Sequence, residues 1–247
     1  MPIANLQTYR TVAVRVHSTA FASQGRAMQL EAAMLDNLKK KCGFEQVSAG
    51  QAAADILLNL NITNAGRGGG GWISSDSTAT LDALLVLTDG QDGELLGTAR
   101  IHGSSSGMIV NGAPPEGEAI GAVAKSIADL LGKSGCAGAR VAKAVPPPKV
   151  EDPQPPDETR RPDADALNDQ GKEKLYAGDT AGALALFQQA TTTLPDARYE
   201  FNVCLTLGVQ EHWDDAIASC RRAKAMKPQP ALATRIDHRL ELLTHHQ

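Results

Sequence analysis

The chain has 247 residues, a formal net charge of −4 and 4% aromatic residues. That length supports one or two domains, each able to bury a core. The near-balanced charge lacks the clustered Lys and Arg of a nucleic-acid footprint, and no apolar run approaches the ~18 residues of a membrane-spanning helix.

The opening residues, Met1-Pro2-Ile3-Ala4-Asn5, lead almost directly into a strand pattern, without a charged n-region and an apolar h-region. The protein is therefore expected either to be cytoplasmic or to be exported with its signal absent from this sequence. Val12, Val14 and Val16 alternate with Thr11, Ala13, Arg15 and His17, which predicts a half-buried strand. Ser23 can cap a helix whose apolar stripe is Ala27, Leu30, Met34 and Leu38. Residues 44–47 read as a short second strand, and the alternation of Ile56, Leu58, Leu60 and Ile62 predicts a third. Leu81, Ala83, Leu85 and Leu87 line a fourth strand, and Asp89-Gly90 and Asp92-Gly93 turn it into a fifth that reaches about Ile101. Ile120, Val123, Ala124, Ile127 and Leu131 stand at helical spacing over 116–132. Strand, helix, three or four strands, helix predicts an α+β domain over 1–142, a mostly antiparallel sheet with helices on one face.

Residues 143–163 hold seven Pro residues mixed with charges. Such a segment cannot bury a core and prefers extended conformations, so it reads as a semi-rigid spacer. A polyproline ligand for an SH3-like partner is the sharper alternative. Beyond it, over 164–247, the pattern predicts all-α helical hairpins. Helices are expected to begin at Asp165, Asp179, Asp196 and near Trp213, with a last amphipathic helix carrying Leu232, Ile236, Leu240 and Leu243.

This C-terminal part repeats itself. Ala183, Phe187, Ala190 and Pro195 recur 33 residues later as Ala216, Cys220, Ala223 and Pro228, and Gly171 recurs as Cys204. Small residues let two antiparallel helices approach, a bulkier one fills the gap to the next pair, and Pro ends the second helix. The pattern resembles the tetratricopeptide repeat (TPR) family, with two repeats and a capping helix. Gly178 matches the family's inter-helix glycine, whereas the second repeat has Glu211 or His212 there. The resemblance implies a scaffold that binds a protein or peptide along the first helix of each pair. Asn168, Lys172, Tyr176, Arg198, Asn202 and Leu205 would line that groove, with Asn202 matching the position that often holds a peptide backbone. The full clamp of two Lys, two Asn and one Arg for a terminal carboxylate is not present. Two repeats fall short of the roughly three that stack stably, so docking on the first domain or self-association is expected to cover their faces.

A second resemblance covers about residues 8–132. Tyr9-Arg10-Thr11-Val12-Ala13-Val14-Arg15-Val16, a long helix ending before Gly43-Phe44, and then Ala54-Asp55-Ile56-Leu57-Leu58 are similar to uncharacterised domains of bacterial envelope lipoproteins. It implies a periplasmic or outer-membrane-associated accessory module and brings no chemistry with it.

The four cysteines, Cys42, Cys136, Cys204 and Cys220, contain no Cys-x-x-Cys pair, which argues against a zinc or thioredoxin-like site. They divide two and two between the halves. One disulfide each and four buried thiols both fit that division. In the repeat packing, Cys204 and Cys220 lie on faces that meet, so a Cα separation of about 4.4–6.8 Å is attainable.

No other string carries chemistry well. Gly66-Arg67-Gly68-Gly69-Gly70-Gly71 lacks the Lys-Ser/Thr and the helix of a phosphate cradle. Asp89 to Glu94 lacks calcium-loop spacing and reads as a hairpin turn. Gly103-Ser104-Ser105-Ser106-Gly107 fits Gly-x-Ser-x-Gly but precedes no helix, leaving a serine hydrolase as the enzymatic alternative. The scattered His residues have no metal-ligand spacing. The chain is thus expected to be a non-catalytic adaptor without cofactor or metal, either of the cell envelope or cytoplasmic.

Overall fold

The computed structural model describes residues 6–18, 24–50, 53–68, 78–105, 115–136 and 158–244. Ser23, residues 69–77, Ser106, most of the Pro-rich segment and His245-His246 lie outside them. The chain divides into two compact units, Met1–Arg140 and Val141–Gln247.

The first unit contains β1 (Thr11–Ser18), α1 (Gln24–Lys41), β2 (Gln46–Ala49), β3 (Ile56–Gly68), β4 (Thr78–Asp89), β5 (Leu95–Ser104) and α2 (Pro115–Leu131). Its five strands lie in the order β2-β1-β3-β4-β5. β1 is parallel to both β2 and β3, whereas β3–β4 and β4–β5 are antiparallel. The sheet is therefore mixed, which corrects the expectation of a mostly antiparallel one. Alternation looks the same in both kinds of strand and does not report direction. The connection does. α1 carries the chain back to the end where β1 began, so β2 runs the same way as β1.

Val12, Val14, Ile56, Leu58, Leu60, Ile62, Leu81, Ala83, Leu85 and Leu87 give the sheet an apolar face. Leu30, Met34 and Leu38 of α1 and Ile120, Val123 and Ile127 of α2 pack on it. The two helices also pack on each other. In the β4–β5 turn, Asp89 accepts from the Gln91 amide at 2.8 Å and Asp92 from the Glu94 amide at 2.9 Å. Both carboxylates thus shape the turn, and the second oxygen of Asp89 also accepts from the Tyr9 hydroxyl at 3.0 Å.

One corner of this unit is clasped. After α2, a π-helical turn over Gly132–Cys136 brings Cys136 to the end of α1. There Cys42 and Cys136 form a disulfide, and the Gly43 amide donates to the Cys136 carbonyl at 2.7 Å. The Leu6 amide donates to the Ser134 carbonyl at 2.8 Å, so the incoming chain meets the outgoing chain.

The second unit opens with a 3-10 turn at Glu158–Arg160. Then follow α3 (Arg161–Tyr176), α4 (Thr180–Thr193), α5 (Ala197–Val209), α6 (Trp213–Ala225) and α7 (Pro230–Thr244), each packed against the next. α3 begins four residues before Asp165. Pro162 falls in its first turn, where a missing amide hydrogen costs nothing. Cys204 of α5 and Cys220 of α6 form a disulfide with Cα atoms 5.2 Å apart, and both are fully buried.

The α3–α4 and α5–α6 turns share a backbone conformation but not its chemistry. Gly178 has φ +82° and Glu211 has φ +64°. Asp179 follows with φ −78°, ψ 74° and caps α4 by accepting from the Gly182 amide at 2.9 Å. His212 has nearly the same angles, φ −84°, ψ 69°, and makes no side-chain cap. A left-handed Glu is strained, and an uncapped helix start leaves amides to water. Glu211→Gly and His212→Asp are each expected to stabilise this unit by about 0.5–1 kcal/mol. A urea titration that shows no rise in midpoint for the double variant would refute this.

Candidate functional site

Side-chain bonds join α3 and α5 of the second unit. Asn202 Nδ2 donates to Asn168 Oδ1 at 2.7 Å, and each residue is 5% exposed. One turn toward the N-termini, the Tyr199 hydroxyl donates to Asp165 Oδ1 at 2.5 Å. Arg198 reaches the same Asp165 oxygen at 3.5 Å and Asp196 Oδ2 at 3.1 Å. Asp196 also caps α5 by accepting from the Arg198 amide at 2.8 Å, and it meets Arg161 at 3.4 Å.

Charge is held firmly in this cluster. Burial pushes the Asp196 carboxyl up, but the bonds from the Arg198 side chain and amide outweigh it and hold the group below the usual carboxylate range. Burial likewise pulls the Arg198 guanidinium down, and Asp196 more than reverses that. Burial, then the bond to Asp165, raises the Tyr199 phenol, so Tyr199 stays a neutral donor.

The six residues expected to line one groove are only partly brought together. Asn168 joins Asn202, and Arg198 joins the Asp165–Asp196 cluster. Lys172 turns along its own helix to Asp169 Oδ1 at 3.1 Å, with 14% of its side chain exposed. Tyr176 is half-buried in the last turn of α3. Leu205, one turn beyond Asn202, is 1% exposed. Arg198 keeps 37% of its side chain exposed.

The Asn pair has spare capacity. A side-chain amide offers two donors and an acceptor with two lone pairs. The bond between the two uses one acceptor and one hydrogen. The amino group of Asn168 and the carbonyl oxygen of Asn202 make no further bond among the described residues. Exchanging O and N in both amides gives the same count, so one donor group and one acceptor group remain in either orientation.

Sequence reading overlooked Arg239 of α7. It is 8% exposed, and burial pushes its guanidinium down to about 10. It lies across Gly208 of α5, where a Cβ would stand 2.3 Å from Arg239 Nη2. The available signal was Gly208 itself, a helix-interior glycine at the position where the first repeat has Leu175.

Ser104 and Ser105 continue the ladder, while Ser106 lies outside the described residues. The Ser105 hydroxyl accepts from the Ala79 amide at 2.9 Å, and the Ser105 amide donates to the Ala79 carbonyl at 2.8 Å. Ser104 ends β5 and is exposed. His102 Nδ1 meets Asp82 Oδ1 at 2.7 Å, a bond that is the main cause holding Asp82 below its usual range. Among the described residues no group of three or more His, Cys, Asp or Glu is placed to hold a metal, and no helix is long and apolar enough to cross a membrane.

No family model matches the chain, and no curated protein matches it. Solved structures do. The PelC dodecamer from Paraburkholderia phytofirmans is 16% identical, with 53% of this chain and 94% of that one covered at a TM-score of 0.41. Protein XCC0632 from Xanthomonas campestris, of the DUF330 family, is 12% identical over 55% and 90% of the two chains, with a TM-score of 0.42. Lipoprotein GNA1162 from Neisseria meningitidis is 16% identical over 48% and 98%, with a TM-score of 0.33.

Proposed function

We propose that this protein is a non-catalytic binding protein of the bacterial cell envelope, periplasmic or outer-membrane-associated. Its second unit acts as a TPR-like adaptor that takes an extended peptide along α3 and α5. The compartment is argued from chemistry. Two disulfides persist where the surroundings are oxidising and are rare in a reducing cytosol. TPR-like character is supported by the 33-residue repeat and by its matching turns at Gly178 and Glu211.

The observation that carries the binding role is the Asn168–Asn202 pair. One donor group and one acceptor group of this pair make no bond to protein among the described residues and stay open to water or to a ligand. An extended peptide backbone offers the complement of both. Arg198 and Tyr176 stand at the margin of the same row, where they can meet side chains of the bound segment.

A peptide selected from a random display library against the whole protein tests this. Asn202→Ala is expected to weaken its binding by roughly 1–3 kcal/mol, because the truncation leaves polar groups of both partners unpaired. Binding that is indifferent to Asn202→Ala, Asn168→Ala and Arg198→Ala alike places the site elsewhere.

A further inference from the structure

The first unit leaves apolar space at one end of its core. β1 ends its pairing with β3 at Ser18 and Ile62, but β3 runs on to Gly68 beside β4. A bulge between Ile62 and Asn64 shifts the phase of that extension, and beyond it Ala65 packs against the core. Under this overhanging ribbon, beside the first turns of α1 and α2, lies a cavity of about 440 Å³. That volume falls in the range of small-molecule sites.

Side-chain size explains why the space remains. In the middle of the layer the sheet supplies Leu58, Leu60 and Leu85, and α1 supplies Leu30, Met34 and Leu38. Here the sheet supplies Ala65 and Ala79, and α2 supplies Ala119. α2 cannot close the gap by moving nearer. It already sits tight on Gly103 of β5, where a Cβ would stand 2.7 Å from the Ala119 carbonyl oxygen. Protein interiors hold few voids larger than a water molecule, so a space this large is a built feature of the core. Ala79, Leu81, Ala119 and Ile120 are buried and form its floor. Arg26 and Glu116 line its solvent side, with 31% and 16% of their side chains exposed. They pair with each other at 3.7 Å, and each interacts further within the protein. The charges are therefore compensated, and an aliphatic floor lies behind a net-neutral mouth.

We infer that this cavity takes the alkyl chain of a single-chain amphiphile. The chain lies on Ala79, Leu81, Ala119 and Ile120, and the polar head stays in water beyond the Arg26–Glu116 pair. The floor carries no polar side chain, so it rewards apolar area and nothing else. The engaged ion pair offers no charge to the head, so chain length decides affinity. This site lies in the first unit and does not depend on the role of the α3–α5 row.

Calorimetric titration of the full chain with 1-butanol, 1-hexanol, 1-octanol and 1-decanol tests the inference. Binding should tighten about fourfold for each methylene added and level off once the chain fills the cavity. Ala119→Leu places a side chain in that space. It should weaken the longest alcohol that binds by roughly tenfold or more and move the levelling-off to a shorter chain. An unchanged circular dichroism spectrum shows that the variant keeps the fold, and Ala65→Val serves the same purpose if Ala119→Leu does not fold. Adsorption to the outer surface would instead strengthen with length without a limit and ignore the substitution. The inference is overturned if no alcohol binds, if affinity rises with length and never levels off, or if filling the cavity leaves the length dependence unchanged.

Discussion

Replacing Cys42 and Cys136 together by Ser is expected to lower the unfolding free energy of the first unit by about 4–5 kcal/mol, the largest effect anticipated for any change in this chain. The bond joins positions 94 residues apart, so its loop takes in β2, β3, β4, β5 and α2, while β1 and α1 precede it. A long closed loop removes many conformations from the unfolded chain, which is the origin of the effect in the chain-entropy description. Apart from the disulfide, backbone bonds such as Gly43 to Cys136 and the Lys41–Asp129 ion pair between α1 and α2 hold that corner. Hydrogen exchange across β1, β3 and β4 reads the change directly, since those strands open only with the unit as a whole. A loss below about 1 kcal/mol would mean that the corner holds without the bond. The Cys204–Cys220 bond spans only 16 positions, and the same reasoning assigns it a smaller share, roughly 3 kcal/mol.

Phe187→Ala should cost the second unit about 3–5 kcal/mol. The ring is fully buried and seated on Gly171 of the neighbouring helix, where a Cβ would stand 2.6 Å from Phe187 Cε1. The α3–α4 contact is therefore one part with two halves, a glycine and the ring that fills its notch. Gly171→Ala alone should cost roughly 1–3 kcal/mol by overfilling. Gly171→Ala combined with Phe187→Leu should cost less than the sum of the two single changes, because a smaller side chain makes room for the new methyl. Strict additivity in a urea-melt cycle would separate the two positions and undo this account of the hairpin.

Much of the architecture could be read from residue order. Period-two alternation located β1, β3 and β4, and helical spacing located α1 and α2 within a residue or two, because each has one face on the core. Strand direction was misread at β2 and β3. The side chains Val12, Val14 and Ile56 obey the same alternation either way, and only the length of the β1–α1–β2 connection distinguishes the cases. Burial on the second face of the sheet was also missed. Asn59 and Asn61 alternate with leucines like solvent-facing residues, yet are 5% and 2% exposed. In the candidate site, the stripe holding Asn168 and Asn202 was visible, but their bond to each other was not, since they stand 34 positions apart on different helices. Lys172 shows a related effect. Spacing gives the face a side chain leaves from, but not that Asp169, one turn away, will draw its ammonium along the helix. Arg26 and Glu116 carry no shared motif, and only the fold brings them together.

The clasp at Leu6, Gly43 and Cys136 has a mechanical meaning. Chain enters and leaves the first unit at one corner, tied there by backbone hydrogen bonds and, through Cys42, by a covalent bond. Tension between residues 6 and 136 passes through that corner while the Leu6–Ser134 bond holds, and after it parts the covalent path runs through β1 and α1 to Cys42 and across the disulfide to Cys136. The unit hangs from the strand like a bead sewn on at a single point. A pull between residues 6 and 136 must first part the Leu6–Ser134 bond before it can peel the entering segment toward β1.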